Sequence, residues 1–198
     1  MIKCVVKTFF LALLTMAVSS CKEDSESGEV GPVVPYASDE KQEEIKAKFP
    51  LEDRKKWKVV KVNSFMKGEE GKMVFDGNPK TMWHTKWGKG KNNNPRPPHE
   101  IQIDMGEELE LHGFTYLPRQ EGGINGTIKQ YEFYVSNDVN NWGQPVSKGQ
   151  FDKIHRNMGI HYKEFEAVKG RYIRLVAKRE IKNQAWASCA ELNVIVEE

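Results

Sequence analysis

The chain has 198 residues, enough for one well-buried domain with a remainder, and carries 30 Lys+Arg against 28 Asp+Glu. Residues 1–20 hold two lysines, Lys3 and Lys7, and no acids; without them the balance is 28 against 28, which gives no electrostatic case for nucleic acid or an anionic membrane surface as partner. Of the three cysteines, Cys4 and Cys21 belong to the leading segment and Cys189 stands alone, so a disulfide framework is excluded and stability must come from a core.

In chain order, Lys3 and Lys7 bracket the start of an apolar run, TFFLALLTMAV, followed by small residues and Cys21. Such a run is too short to span a bilayer and has the length of an export-signal core. VSSC resembles a bacterial lipobox, which implies a lipid on Cys21 as the mature N-terminus; ordinary secretion with cleavage nearby is the alternative. Next, KEDSESGEVGPVVPYAS is acidic and then rich in Gly and Pro, a tether with little to bury. CKEDSE resembles the acidic tract that follows the lipidated cysteine in surface-exposed lipoproteins of Gram-negative bacteria, which implies display at the outer membrane. SDEKQEEIKAKFP predicts a short helix, with Ser38 as cap, acids early, lysines late and Pro50 as stop. The organisation is therefore a leader over 1–20, a tether and short helix over 21–50, and a domain over 51–198.

From Trp57 onward the period becomes two. IQIDM places Ile101, Ile103 and Met105 on one face, YEFYV places Tyr131, Phe133 and Val135, IRLVA places Ile173, Leu175 and Ala177, and LNVIV places Leu192, Val194 and Val196. Each run ends in Gly, Asn, Asp or Pro, and no stretch after Pro50 keeps a 3.6-residue period. Short strands at this spacing predict an all-β sandwich or barrel.

The stretch FDGNPKTMWHTKW concentrates the candidate chemistry. Asp76, Asn78 and Thr81 offer hard oxygen ligands suited to Ca²⁺, but an EF-hand is excluded because Thr81 and Trp87 stand where its glycine and glutamate belong. From spacing alone DGNP reads first as a tight turn. His84 beside Trp83 and Trp87 reads as a hydrogen-bonded, half-buried group, facing away from Trp83 on an extended segment. A zincin is excluded, since Ile103 stands where the second histidine after His99-Glu100 belongs; there is no G-x-S-x-G elbow, and Cys189 sits in an apolar run as a small buried residue would. NGT at Asn125–Thr127 matches a sequon but is equally a turn. The basic residues Lys86, Lys89, Lys91 and Arg96 around NNN read as a solvated loop rather than a nucleic-acid patch.

Taken together and in order, VFDGNPKTMWHTKW, PPHEIQIDMGEELELHGFTYLPRQEGGINGTIKQYEFYVSND, GRYIRLVA and ASCAELNV resemble the discoidin or coagulation factor 5/8 type C domain. More narrowly, they resemble its sugar-binding branch, carbohydrate-binding module family 32. The resemblance covers about Trp57 to Glu198 and implies a jelly-roll β-sandwich of the galactose-binding domain-like type, with about eight main strands and a ligand site in the loops at one end. It implies a ligand-binding set of His84, Arg119 and Asn125, with Trp186 as an aromatic platform. It also implies a structural Ca²⁺ held by Asp76, Thr81, backbone carbonyls and Glu191, with Asn78 contributing by side chain or carbonyl. The turn NDVNNW departs from the family pattern, which has glycine where Val139 stands. The expected function is non-catalytic binding of terminal galactose or N-acetylgalactosamine-type glycans at the bacterial surface, by a lipid-anchored protein that takes no nucleic acid. A discoidin-type adhesion module for protein or other ligands, and an accessory subunit of a glycan-degrading system, are the alternatives.

Overall fold

The computed structural model describes residues 54–88 and 94–196. The expected leader, lipidation at Cys21, tether and short helix, together with Lys89 and Lys91, lie outside the described residues.

Eight strands follow one another: β1 (Lys58–Val62), β2 (Trp83–His84), β3 (His99–Leu117), β4 (Ile128–Ser136), β5 (Ser147–Gln150), β6 (His161–Glu180), β7 (Ser188–Cys189) and β8 (Glu191–Val196). A 3-10 segment, Gly71–Phe75, stands between β1 and β2. The strands pair antiparallel throughout. The long strands β3 and β6 pair along most of their length, with register breaks between Asp104 and Leu109 and between Leu111 and Gly113. Such breaks bend a strand. The first half of β3 consequently lies between β1 and β6, while its second half lies between β8 and β6. Strands β4 and β5 extend the first layer beyond β6.

The two layers of this jelly-roll sandwich meet through aromatic side chains. Phe114, from the second half of β3, stacks on Phe133 of β4 with ring centroids 4.1 Å apart and an interplanar angle of 6°. It also meets Tyr131 edge-on at 5.4 Å. The period-two faces of β3, β4 and β6 read from the sequence are all buried, from Ile101 to Ala177. On β8 the pattern fades: Leu192 is buried, Val194 only partly so, and Val196 is exposed, because β8 has β3 as its one neighbour and Val196 lies at the margin of the sheet. Cys189 is a buried free thiol whose pKa burial pushes well up, so it packs and does not react.

Two local arrangements follow from side-chain chemistry. The turn at Val139 closes without a glycine: Asn141 N–H donates to the Asp138 carbonyl at 3.0 Å, Asn140 N–H to Asp138 Oδ1 at 2.9 Å, and no residue there has positive φ. Deeper in, the Tyr116 hydroxyl donates to the Ser188 carbonyl and accepts from Ile128 N–H, both at 3.0 Å. A single buried phenol thus fixes β7 and the start of β4, the two elements from which loops run toward the cleft described next.

Candidate carbohydrate-binding site

His84 is delivered by the two-residue pairing of β2 with β7, in which Trp83 faces Cys189 and His84 faces Ser188. Alternation sends Trp83 into the core, where its indole N–H donates to the Ser64 carbonyl at 2.9 Å, and turns His84 the other way. His84 Nδ1 lies 2.7 Å from the Thr85 carbonyl, which can only accept, so Nδ1 carries the proton and Nε2 presents a lone pair. Burial lowers the pKa of His84, partly offset by the carbonyls of Thr85 and Asn125 and by Glu69, so the ring is neutral at pH 7.

Arg119 follows β3 and braces its own loop. Its Nε donates to the Glu121 carbonyl at 2.8 Å and its Nη1 to the Asn125 carbonyl at 3.3 Å. The Asn125 carbonyl also accepts from Ser188 Oγ at 3.2 Å, tying this loop to β7. Gly126 is required twice over. Its φ is +81°, and a Cβ there would stand 2.9 Å from Ser188 Oγ and 3.0 Å from His84 Nε2.

Trp186 sits between two pinned neighbours. The Ala185 carbonyl accepts from His99 Nε2 at 2.6 Å, and Ala187 N–H donates to Thr85 Oγ1 at 3.0 Å while its carbonyl accepts from Thr85 N–H at 2.9 Å. The indole is thereby placed 6.5 Å from the His84 ring, tilted by 46°. His84, Arg119, Asn125 and Trp186 line one cleft of about 240 Å³.

Three further residues line it that sequence reasoning did not assign: Glu69, Trp87 and Gly122. Trp87 is 47 % exposed and points its indole N–H toward Glu69 Oε2 at 3.4 Å. Its signal was present in the sequence, three residues after His84; nothing in KGEEGK marks Glu69. His99, which the sequence offers only as an incomplete zincin motif, is fully buried and serves the Trp186 loop. Burial lowers its pKa. A histidine depressed in this way contributes stability that is complete above the unfolded value of about 6.5 and is lost as pH falls through the lower folded value. The stability advantage of the wild type over His99→Gln, measured by urea unfolding, is therefore expected to shrink between pH 7 and pH 5.

The residues of the expected ion site also come together. Asp76 Oδ1 accepts from Asn78 N–H at 2.9 Å, and Thr81 Oγ1 lies 2.7 Å from Asp76 Oδ2 and 2.8 Å from the Asn78 carbonyl. The Asn78 side chain accepts from Lys80 N–H at 3.1 Å, so the carbonyl rather than the amide is the Asn78 oxygen at this cluster. Glu191, wholly buried at the start of β8, is paired through Oε2 with Arg54 Nη1 at 2.5 Å, while its Oε1 has no partner. Burial raises the Glu191 carboxyl, against Arg54, and the neighbouring Asp76 raises it further, to about 7. Among the described residues no three His, Cys, Asp or Glu side chains cluster; the set is two carboxylates, a hydroxyl and a carbonyl. Thr81 brings one hydroxyl proton to two carboxyl groups and a carbonyl. An excess of hard acceptors over protons, with one buried carboxylate oxygen orphaned, fits Ca²⁺.

Comparison with known proteins adds independent evidence. The chain is 41 % identical over 141 residues to a galactose oxidase of Gibberella zeae, covering 71 % of this chain and 20 % of that protein. It is 37 % identical over 121 residues to a sialidase of Micromonospora viridifaciens, covering 61 % and 18 %. The chain thus spans about a fifth of the length of these curated relatives. Among solved structures, the Clostridium perfringens module CpGH89CBM32-5, in complex with GalNAc-β-1,3-galactose, superposes with a TM-score of 0.63 at 34 % identity, covering 73 % of this chain and 98 % of the module. The family 32 module of C. perfringens NanJ, in complex with galactose, does so at 0.61 and 26 %, covering 72 % and 95 %. The F5/8 type C domain model matches residues 58–192, from β1 into β8. The chain therefore belongs to the F5/8 type C domain family, with carbohydrate-binding modules of family 32 as its structural neighbours.

Proposed function

We propose that the protein binds the terminal galactose or N-acetylgalactosamine of a glycan without transforming it. The observation that carries this reading is the convergence of His84, Arg119, Asn125 and Trp186, from three separate segments, on one cleft. The chemistry is that of sugar recognition: a neutral imidazole with a free lone pair, a guanidinium and a carboxamide can fix a hydroxyl pattern, while an indole stacks on the C–H face of a pyranose. Trp87, on the same wall, offers a second indole. Two neighbours of over 25 % identity hold galactose and a GalNAc-containing disaccharide, which supports the same ligand class here.

The cleft, at about 240 Å³, is smaller than the roughly 300–1,000 Å³ of drug-sized sites and suits one or two sugar rings. Affinity per site is therefore weak, and display of several copies on one surface compensates. We place that display on a lipid at Cys21, with residues 22–50 as tether and the bacterial outer membrane as location. A structural Ca²⁺ held by Asp76, Thr81, Glu191 and the Asn78 carbonyl belongs to the same reading. The alternative reading, an accessory subunit of a glycan-degrading system, is in keeping with matched relatives that are themselves enzymes.

Titration of the purified chain with galactose, N-acetylgalactosamine and lactose tests the proposal. Saturable binding at millimolar sugar or below is expected, and its absence for all three sugars overturns the ligand class. Release of product from a glycan panel overturns the non-catalytic assignment.

A further inference from the structure

Glu180 is 1 % exposed, ends β6, and is not one of the residues that line the cleft. Its Oε2 accepts from Lys182 N–H at 2.6 Å and Gln184 N–H at 2.9 Å, and its carbonyl accepts from Asn183 N–H at 3.0 Å, with Asn183 in the left-handed region at φ 58°. Residues 181–184 therefore curl around the carboxylate. On the other side Glu180 pairs with Ile128, and Ile181 N–H donates to the Thr127 carbonyl at 3.0 Å. Glu180 thus grips the start of the loop that carries Trp186 through its side chain and adjoins, through the backbone, the residues that follow the turn carrying Asn125.

We propose that Glu180 is a positioning residue of the sugar cleft: by holding the 181–184 curl beside the Thr127–Ile128 backbone it sets where Trp186 stands relative to His84, and so sets affinity without touching ligand. Downstream of the curl, Ala185 and Ala187 are pinned by His99 and Thr85. Upstream, Glu180 supplies the anchoring acceptor. Stability alone does not recommend this group. A carboxylate at this depth costs desolvation energy, and Oε1 has no partner. A costly buried acid retained directly behind a binding cleft is the pattern expected where a site is organised at the expense of packing.

The proposal rests on the carbohydrate-binding reading, and its test separates the two. The full-length chain, labelled with fluorotryptophan, is titrated with galactose as wild type, Glu180→Ala, Glu180→Gln and Glu180→Asp, beside a core variant, Ile173→Val, as a control for stability. The Trp186 resonance is assigned from Trp186→Phe. In Glu180→Ala, galactose affinity is expected to fall about tenfold or more, as for other residues that orient ligand-contacting groups, and the Trp186 resonance to shift or broaden. Glu180→Gln keeps an acceptor oxygen in place and is expected to recover both. Ile173→Val is expected to change neither.

If Glu180→Ala fails to fold, Glu180→Asp carries the test, because withdrawing the carboxylate by one methylene is expected to weaken binding and move the same resonance. Unchanged affinity with an unmoved Trp186 resonance in the folded variants overturns the proposal, as does a Gln variant no better than Ala. If the wild type binds no galactose, the sugar reading fails by itself. The Trp186 resonance then still decides the positioning role: movement in the Ala or Asp variant supports it, and no movement overturns it.

Discussion

Replacing Arg119 with alanine is expected to abolish detectable galactose binding, and His84→Ala to do the same with a smaller effect on the loop. A hydrogen bond from a charged donor contributes about 1.5–3 kcal/mol, which is roughly ten- to a hundredfold in affinity and enough to move an already weak site beyond titration. Arg119 also donates to the carbonyls of Glu121 and Asn125. Its removal therefore loosens the segment that presents Asn125, so the loss exceeds one contact. Arg119→Lys is expected to fail as well, because a single ammonium cannot keep two loop carbonyls and a ligand hydroxyl in the fork geometry of a guanidinium. His84→Ala leaves the Thr85 carbonyl without its donor but keeps the Arg119 hydrogen bonds to Glu121 and Asn125 that brace the loop. Thermal unfolding of the His84 variant should stay within a few degrees of wild type, on the order of 1 kcal/mol in stability. Isothermal titration together with a melting curve separates the roles: retained binding in either variant removes that residue from the site, and unfolding of His84→Ala marks the histidine as a core group.

Period-two alternation was sufficient to place the buried faces of β3, β4 and β6, because a strand buried on one side must repeat every second residue. It failed at Val196, where the strand continues but the core does not. The four residues assigned to the cleft were found through the order of the quoted blocks and not through their local patterns; His84 alone looked like any hydrogen-bonded imidazole. Glu69 was illegible because it reaches the cleft through tertiary folding, with His84 N–H donating to its carbonyl at 3.2 Å. Arg54 was missed for the opposite reason. Nothing in LEDRKKW sets the arginine apart from the charges around it, yet it is 1 % exposed and paired with Glu191, a contact across the whole domain. Glu180 was equally hidden, since REIKN looks like a surface turn and only burial distinguishes its acid from its neighbours.

Removal of Ca²⁺ is expected to lower the melting temperature without unfolding the domain at 25 °C. The driving force is visible at Glu191: a buried carboxyl raised to about 7, with Asp76 beside it and Oε1 without a partner, is relieved by a divalent cation. The persistence of the fold has its own cause, because Arg54 already supplies one positive charge on Oε2. At an ion concentration of about 100 times the dissociation constant the linkage is worth about 2.7 kcal/mol, which for a domain of this size is a shift on the order of 5–10 °C. Asp76→Ala is expected to melt at the same temperature with and without the ion, near the value of the chelated wild type. Glu191→Ala should fall further, since it also takes from the buried Arg54 guanidinium its carboxylate partner. Scanning calorimetry in excess chelator and after calcium is restored decides the matter. A wild-type melting curve indifferent to both would mean that Asp76, Thr81 and Glu191 form a hydrogen-bonded clip between the DGNP turn and β8 that no metal completes.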